Sequence, residues 1–216
     1  MPKARFAVAA FALVIPTAAN AQDCDPTEIF EPQVGYGVGD MPQGIAMGDL
    51  DGDGDADLAV ANDSSGDFSV LLNTGDGTFA PDVRYDAGNR PLFVVIGDFD
   101  GDGDGDLAVS NSDDDNVGVL LNNGDGTFAT METYTAGNRP IPLAIADLNS
   151  DGNIDIAAAN DFGANVTILL NNGDGTFAPV FAYEDGIRPQ TLAVGDLDGD
   201  GKTDLETANF RSDTVS

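Results

Sequence analysis

The sequence contains no histidine and no tryptophan, a single cysteine, and only 8 lysine and arginine residues against 38 acids. Each scarcity removes a class of chemistry. Without histidine there is no Ser-His-Asp or Cys-His nucleophile and no imidazole zinc site. A lone Cys24 makes no intrachain disulfide. At 216 residues the chain is long enough for one or two domains with a real core, and is no peptide or disulfide-stapled scaffold. The shortage of cations leaves a net charge of −30, which repels nucleic acid and anionic membranes. What is abundant points the other way. Aspartate supplies 33 of the 38 acids and glycine 27 residues, and the partner such a surface calls for is a cation.

The N-terminal 21 residues read as a secretory signal. Lys3 and Arg5 precede an apolar run at 6–15, and Ala19-Asn20-Ala21 forms an A-x-A cleavage site, so the mature chain is expected to begin at Gln22. Ten apolar residues are too few to span a bilayer, which takes ~20. Asp23 stands before Cys24 where a lipoprotein signal wants a small residue, so secretion is expected, not lipidation or membrane insertion. Periplasmic or extracellular calcium can be millimolar, matching extracellular modules that bind it at ~10⁻⁴ to 10⁻³ M. Residues 22–29 form a short lead, and Cys24 within it is either a bystander or the partner of a thiol in another chain.

From Phe30 onward the chain is a repeat. Asp49, Asp98, Asp147 and Asp196 are each 49 residues apart, as are Phe30, Phe79, Phe128 and Phe177. The units are 30–78, 79–127, 128–176 and an incomplete 177–216. Apolar runs within a unit are short and bounded by Gly, Asn, Asp and Pro, the punctuation of strands and not of helices. Four strands are predicted per unit, in the first at 44–48, 58–62, 68–73 and 78–85, the last two joined by the hairpin-type link Thr74-Gly75-Asp76-Gly77. Four short antiparallel strands at this period make a propeller blade. The predicted fold is therefore an all-β propeller of about four blades, the last truncated.

Closure is incomplete. From Phe30 to Ser216 is 187 residues, or 3.8 periods, and only Thr214, Val215 and Ser216 of the last unit's third strand are present. Residues 30–34 can supply a fourth strand to a last blade but not the third. A fragment of a larger propeller is expected, an open arc with an exposed edge.

The chemistry lies in the loop D-x-[DN]-x-D-G-x-x-D. It reads Asp49, Asp51, Asp53, Gly54, Asp57 in unit one and Asp98, Asp100, Asp102, Gly103, Asp106 in unit two. Unit three has Asp147, Asn149, Asp151, Gly152, Asp155, and unit four Asp196, Asp198, Asp200, Gly201, Asp204. Oxygen ligands at positions 1, 3 and 5, with Gly at 6 for a sharp turn, are what a hard cation seeking six to eight oxygens draws from a short loop. Position 7 (Asp55, Asp104, Asn153, Lys202) would offer its backbone carbonyl and point its side chain outward, and position 9 would close the cage. Solvated acidic turns are the alternative. Against them, 17 of the 33 aspartates fall in these loops, where clustered carboxylates repel unless a cation offsets them. Calcium in up to four sites is expected, since magnesium prefers to keep its water. The loops are not EF-hands, because Val60, Val109, Ala158 and Thr207 occupy position 12, where a bidentate Glu would stand.

The loops and the L-L-N-N-G-D-G-T-F segments at 120–128 and 169–177 resemble FG-GAP or VCBS-type repeats, which are similar to the calcium-binding blades of the integrin α-subunit propeller. The resemblance implies a seven-bladed propeller with calcium in hairpin loops on one face, used in adhesion or ligand binding.

Two further series recur. Arg90, Arg139 and Arg188, with Met41 in unit one, precede Pro91, Pro140, Pro189 and Pro42. They either neutralise neighbouring acids, the favoured reading, or bind an anionic glycan or partner. The Phe series is expected to fill gaps between blades. The functional expectation is a secreted, calcium-stabilised, non-catalytic module binding a protein or glycan. The alternatives are a module of a larger hydrolase or lyase and a structural surface protein. The Asp113-Asp114-Asp115 run, the acidic constellation outside the loops, reads as a solvated tip.

Overall fold

A computed structural model describes residues 34–178, 181–184, 186 and 188–216. The chain divides into Met1–Gly35 and Tyr36–Ser216, and the architecture below is that of the second unit. The expected signal, the lead, Cys24 and Phe30 lie outside the described residues.

The described residues form strands and turns without a helix. Blade one contains β1 (Pro42–Gly48), β2 (Asp57–Asn62), β3 (Asp67–Leu71) and β4 (Val83–Asp86). Blade two repeats them as β5 (Pro91–Gly97), β6 (Asp106–Asn111), β7 (Asn116–Leu120) and β8 (Glu132–Thr135). Blade three has β9 (Pro140–Ala146), β10 (Asp155–Asn160), β11 (Asn165–Leu169) and β12 (Phe181–Glu184). Blade four has β13 (Pro189–Gly195), β14 (Asp204–Asn209) and the two-residue β15 (Thr214–Val215). Each sheet runs in chain order, all pairs antiparallel, because the links are short enough to join only neighbours. The expected propeller blades are thus present, the fourth with three strands among the described residues.

Successive blades pack through their first strands, β1 on β5, β5 on β9 and β9 on β13. The second strand of each complete blade, covered on both faces, is buried along nearly its whole length and carries a run of three or four apolar residues after its leading aspartate. The core lies between blades. Leu50, Phe68 and Val70 of blade one meet Val94, Leu107 and Phe128 of blade two. Phe99, Val117 and Val119 of blade two meet Leu143, Ile156 and Phe177 of blade three. Phe128 and Phe177 fill interblade gaps, and Phe79 is half-buried against Tyr36.

The fourth strand begins later than its sequence suggests, at Val83 instead of Thr78. Asn73 and Phe79 form an isolated bridge that closes the turn at 74–78, and the ladder then breaks before β4. The same bridge recurs at Asn122 and Phe128 and at Asn171 and Phe177. At the second and third of these bridges the Phe ring leaves its own sheet edge for the preceding blade, which pulls the chain off the ladder.

Each first strand starts at a proline preceded by a left-handed residue: Met41, Arg90, Arg139 and Arg188 have φ of 56°, 61°, 59° and 62°. The arginines act as ties. Arg188 donates from Nε and Nη2 to both oxygens of buried Asp161 at 2.7 and 2.8 Å, and Arg90 lies 3.6 Å from Asp63 and from Asp113. Their role here is charge pairing between and within blades, in line with the favoured reading. The Asp113-Asp114-Asp115 run is exposed but engaged: Asp114 accepts from the Asn89 backbone and side chain, and Asp115 from the Arg139 amide.

Candidate metal centres

The acidic loops join the first and second strands of every blade, so all four lie at the same end of their sheets. Position 1 directly follows the first strand and position 9 is the first residue of the second. The ladder pairs Gly48 with Asp57, Gly97 with Asp106, Ala146 with Asp155 and Gly195 with Asp204 close the loops at their base. Backbone pairing thereby fixes both ends of each nine-residue segment.

The interior is shaped by glycine and by the carboxylates themselves. Gly54, Gly103, Gly152 and Gly201 at position 6 have φ of 92°, 99°, 94° and 86°, a left-handed turn that a side chain would strain. In loop one the Asp49 carboxylate accepts from the Gly52 amide at 2.8 Å and the Gly54 amide at 3.0 Å. Asp51 and Asp53 accept from the amides two residues on. The same pattern holds in loop four, where Gly199 and Gly201 donate to Asp196 at 2.7 and 3.0 Å. These bonds turn the loop inward and bring negative groups together.

Position 9 has a second task. Asp106 is fully buried, with one oxygen accepting from the Phe99 amide at 2.7 Å and the other from the Asn122 amide at 2.8 Å. Asp57 binds the Leu50 and Asn73 amides, and Asp155 the Leu148 and Asn171 amides, in the same way. This residue staples the acidic loop to the 73–79 turn of its own blade and to its repeats. Burial pushes the Asp106 carboxyl up to about 6, against the opposing pull of the two amides. Asp51, Asp100 and Asp155 are also raised, burial being the largest cause in each, with repulsion from neighbouring aspartates adding to it.

Oxygens of three carboxylates lie within 4.8 Å of one another in three loops: Asp49, Asp51 and Asp53; Asp98, Asp100 and Asp106; Asp196, Asp198 and Asp204. Of the remaining carboxylates expected at positions 1, 3, 5 and 9, Asp57 at position 9 and Asp102 and Asp200 at position 5 lie outside these triplets. Loop three is built differently. Asn149 donates from Nδ2 to Asp151 at 2.8 Å, and the Asp151 amide donates to Asp147 and Asn149. The Asn153 amide and then the Asn149 side chain hold the Asp151 carboxyl below its usual range. Ser150 stands where the other loops have Gly52, Gly101 and Gly199, and adopts φ 64°. The replacement is visible in the sequence, but its backbone cost is not.

The outward orientation expected of position 7 is corrected in three loops. Asp55, Asp104 and Asn153 are half-buried against the glycine of the adjacent turn. A Cβ on Gly75 would stand 3.2 Å from Asp55 Oδ2, and one on Gly124 would stand 2.5 Å from Asp104 Oδ2. The glycine leaves room into which the side chain folds. Lys202 is exposed and lies 3.4 Å from Asp200.

A set of three carboxylates with glycine-shaped backbone is a hard-cation donor set, and its oxygens suit calcium better than a soft or imidazole-seeking metal. Among the described residues, no helix is long and apolar enough to cross a membrane.

The FG-GAP-like repeat model matches residues 49–109, 98–158 and 147–205, each window opening on the first aspartate of a loop. No curated protein matches the chain by sequence. Among solved structures, the chain is similar to an Agrocybe aegerita lectin that recognises non-reducing terminal N-acetylglucosamine, at 27% identity and TM-score 0.54, over 75% of this chain and 45% of the lectin. It is similar in fold to BBS1N, solved in complex with ARL6DN, at 13% identity and TM-score 0.56, over 84% and 57% of the two chains. Virginiamycin B lyase from Staphylococcus aureus matches at 14% identity and TM-score 0.52, over 81% and 54%. The chain therefore spans about half the length of these structures.

Proposed function

This chain belongs to the FG-GAP-like repeat family, and from that premise we propose that it is a secreted, non-catalytic binding module whose blades are clamped by calcium. The observation that carries the reading is the convergence of three carboxylates within 4.8 Å in loops one, two and four. Asp49, Asp51 and Asp53, then Asp98, Asp100 and Asp106, then Asp196, Asp198 and Asp204 would hold the ions. Bound calcium would supply positive charge that offsets both the burial and the added repulsion that raise Asp51 and Asp100. Because loops one, two and three are tied through position 9 to the neighbouring turn, holding the loop there also holds the blade.

The pattern of ties supports a structural and not a catalytic use of the carboxylates. A retaining or inverting hydrolase needs one protonated and one free carboxyl facing a cleft. Here both oxygens of Asp57, Asp106 and Asp155 accept backbone amides, and Asp49, Asp51, Asp53, Asp98, Asp100 and Asp102 accept amides of their own loops.

Binding of a glycan or a protein is the outward function, and the lectin likeness favours a glycan. Export follows from the signal-like residues 1–21. The test is a calorimetric calcium titration followed by binding to immobilised glycans ending in N-acetylglucosamine, each with calcium and with EDTA. Three strong calcium sites and calcium-dependent glycan retention are expected. Absence of any calcium heat would defeat the clamp, and retention on no glycan would turn the search to protein ligands.

A further inference from the structure

The side chains of Asn122 and Asn171 stand where two acidic loops meet. Each opens the turn that follows a third strand, and each is buried. Asn122 donates from Nδ2 to the Leu50 carbonyl of loop one at 2.8 Å and to the Gly105 carbonyl of loop two at 3.0 Å. Asn171 donates in the same way to the Phe99 carbonyl of loop two at 2.8 Å and the Ile154 carbonyl of loop three at 3.0 Å. The Gly124 and Gly173 amides donate to the two Oδ1 atoms, which fixes the way each side chain is turned. A side-chain amide has two N–H donors, and here each goes to a different blade.

These bonds continue through position 9. Phe99, whose carbonyl Asn171 holds, donates its own N–H to Asp106, and the other Asp106 oxygen accepts from the Asn122 backbone amide. Asn122 holds the carbonyl of Leu50, which in turn donates to Asp57. A single run of hydrogen bonds therefore passes from the turn of blade three through loop two and the turn of blade two into loop one. Asp57, Asp106, Leu50 and Phe99 along it are no more than 1% exposed, so water has no access to replace a broken link.

Packing follows the same line. A Cβ on Gly105 of loop two would stand 3.3 Å from the Asp49 carbonyl oxygen and 3.5 Å from the Leu50 side chain, and one on Gly126 would stand 3.4 Å from Asp51 Cβ. Loops one and two thus lie against each other, with the turn of blade two on loop one. At the next junction the Gly175 amide donates at 3.0 Å to the same Phe99 carbonyl that Asn171 holds. Leu50 and Phe99 are position 2 of their loops, flanked by the carboxylates at positions 1 and 3. A loop that opens withdraws one carbonyl from the shared asparagine, leaves a buried N–H unpaired and loosens the hold on the neighbouring loop.

We infer that Asn122 and Asn171 couple neighbouring acidic loops, so that ordering one loop orders the next. The two states of each junction are closed, with both side-chain donors engaged, and open, with one of them unpaired. The consequence for calcium rests on the reading given above. An ion that fixes loop two lowers the ordering cost left to loops one and three, and by linkage an ion in either of them lowers the cost at loop two. Calcium then binds cooperatively between adjacent loops. Asn122 and Asn171 are positioning residues in this scheme and not ligands.

The test uses the full chain, isotope-labelled for NMR, and Asp98→Ala, which removes the acceptor of the Gly101 amide and one carboxylate from loop two. In EDTA this change is expected to speed hydrogen exchange at the Leu50 and Leu148 amides, in loops one and three, by roughly fivefold or more. In an Asn122→Ala background the effect at Leu50 should vanish while that at Leu148 stays, a selectivity that general destabilisation does not produce. Asn171→Ala should give the converse, and serves in its place should Asn122→Ala not fold. With calcium alone as the probe, followed through the Gly54 amide resonance, loop one should bind roughly fivefold more weakly in Asp98→Ala. Exchange at Leu50 and Leu148 that ignores Asp98→Ala, or that responds equally in every background, would overturn the inference. So would a Gly54 titration that Asp98→Ala leaves unchanged. If calcium moves no glycine resonance, the calcium reading fails by itself and the exchange in EDTA decides the coupling.

Discussion

Loops two and three share their aspartates at positions 1, 5 and 9 and differ at the centre by Asn149, Ser150 and Asn153 in place of Asp100, Gly101 and Asp104, and the structure resolves their charge in opposite ways. Loop two presents Asp98, Asp100 and Asp106 to one point, and burial together with mutual repulsion raises Asp100 and Asp106. Loop three replaces Asp100 with Asn149, and the Asn153 amide together with the Asn149 side-chain amide holds Asp151 below its usual range instead. One loop leaves its repulsion to be offset by a cation, and the other offsets part of it internally. On the proposed reading, loop two is expected to bind calcium more strongly than loop three, the exchange of an Asp100 oxygen for an Asn149 N–H contributing to the difference. The loops share their staple, since Asp106 and Asp155 each bind two backbone amides.

The shared staple should give the largest effect. Asp106→Ala and Asp155→Ala each orphan two amides and are expected to cost about 3 kcal/mol or more of unfolding free energy, even in EDTA. A loss seen only with calcium would show position 9 to be a ligand alone. Next comes the exchange itself. Asp100→Asn should weaken calcium at loop two about tenfold, near 1.4 kcal/mol, and Asn149→Asp should strengthen loop three similarly. Equal site affinities before and after would dissolve the distinction. In the same titration Asp151→Ala should remove one weak site.

The pH response sharpens the contrast further. Burial places the Asp106 carboxyl at about 6, so the ion-free native protein holds a proton that the unfolded chain has lost. Its contribution to stability is therefore present at low pH and lost as pH rises through about 6. Calcium needs the ionised form, so affinity at loop two should fall as pH drops through that range. Loop three has one raised carboxyl, Asp155, where loop two has two, and should respond less. Calorimetry at pH 7 and pH 5 checks both signs. The smallest expected effect is at Ser150, where φ is 64°: Ser150→Gly should relieve a left-handed serine and stabilise the ion-free protein by about 0.5–1 kcal/mol.

Much of this was legible in the residues. The 49-residue period, the strand punctuation and the position of every loop aspartate are linear features, and the structure places them as the repeat requires. The Phe series was legible because stacked repeats must bury large side chains at fixed positions. Four features were not. The fourth strand starts late because Phe128 and Phe177 serve a neighbouring blade, a tertiary demand that a local pattern does not carry. Position 7 folds inward because a glycine far along the chain leaves room for it. Met41 and the left-handed arginines before the other three strand-opening prolines carry no local signal of their φ. The double duty of Asp57, Asp106 and Asp155 appears only when the amides of Asn73, Asn122 and Asn171 are brought beside them.

The most direct test of the account is thermal unfolding of the protein in EDTA and then across a calcium titration, with magnesium as the control. A site occupied at one hundred times its dissociation constant adds about 2.7 kcal/mol. The account predicts a calcium-specific rise in melting temperature that is smaller in Asp100→Asn and larger in Asn149→Asp. A transition that ignores calcium, or that magnesium shifts equally, would contradict it and leave the loops as solvated acidic turns.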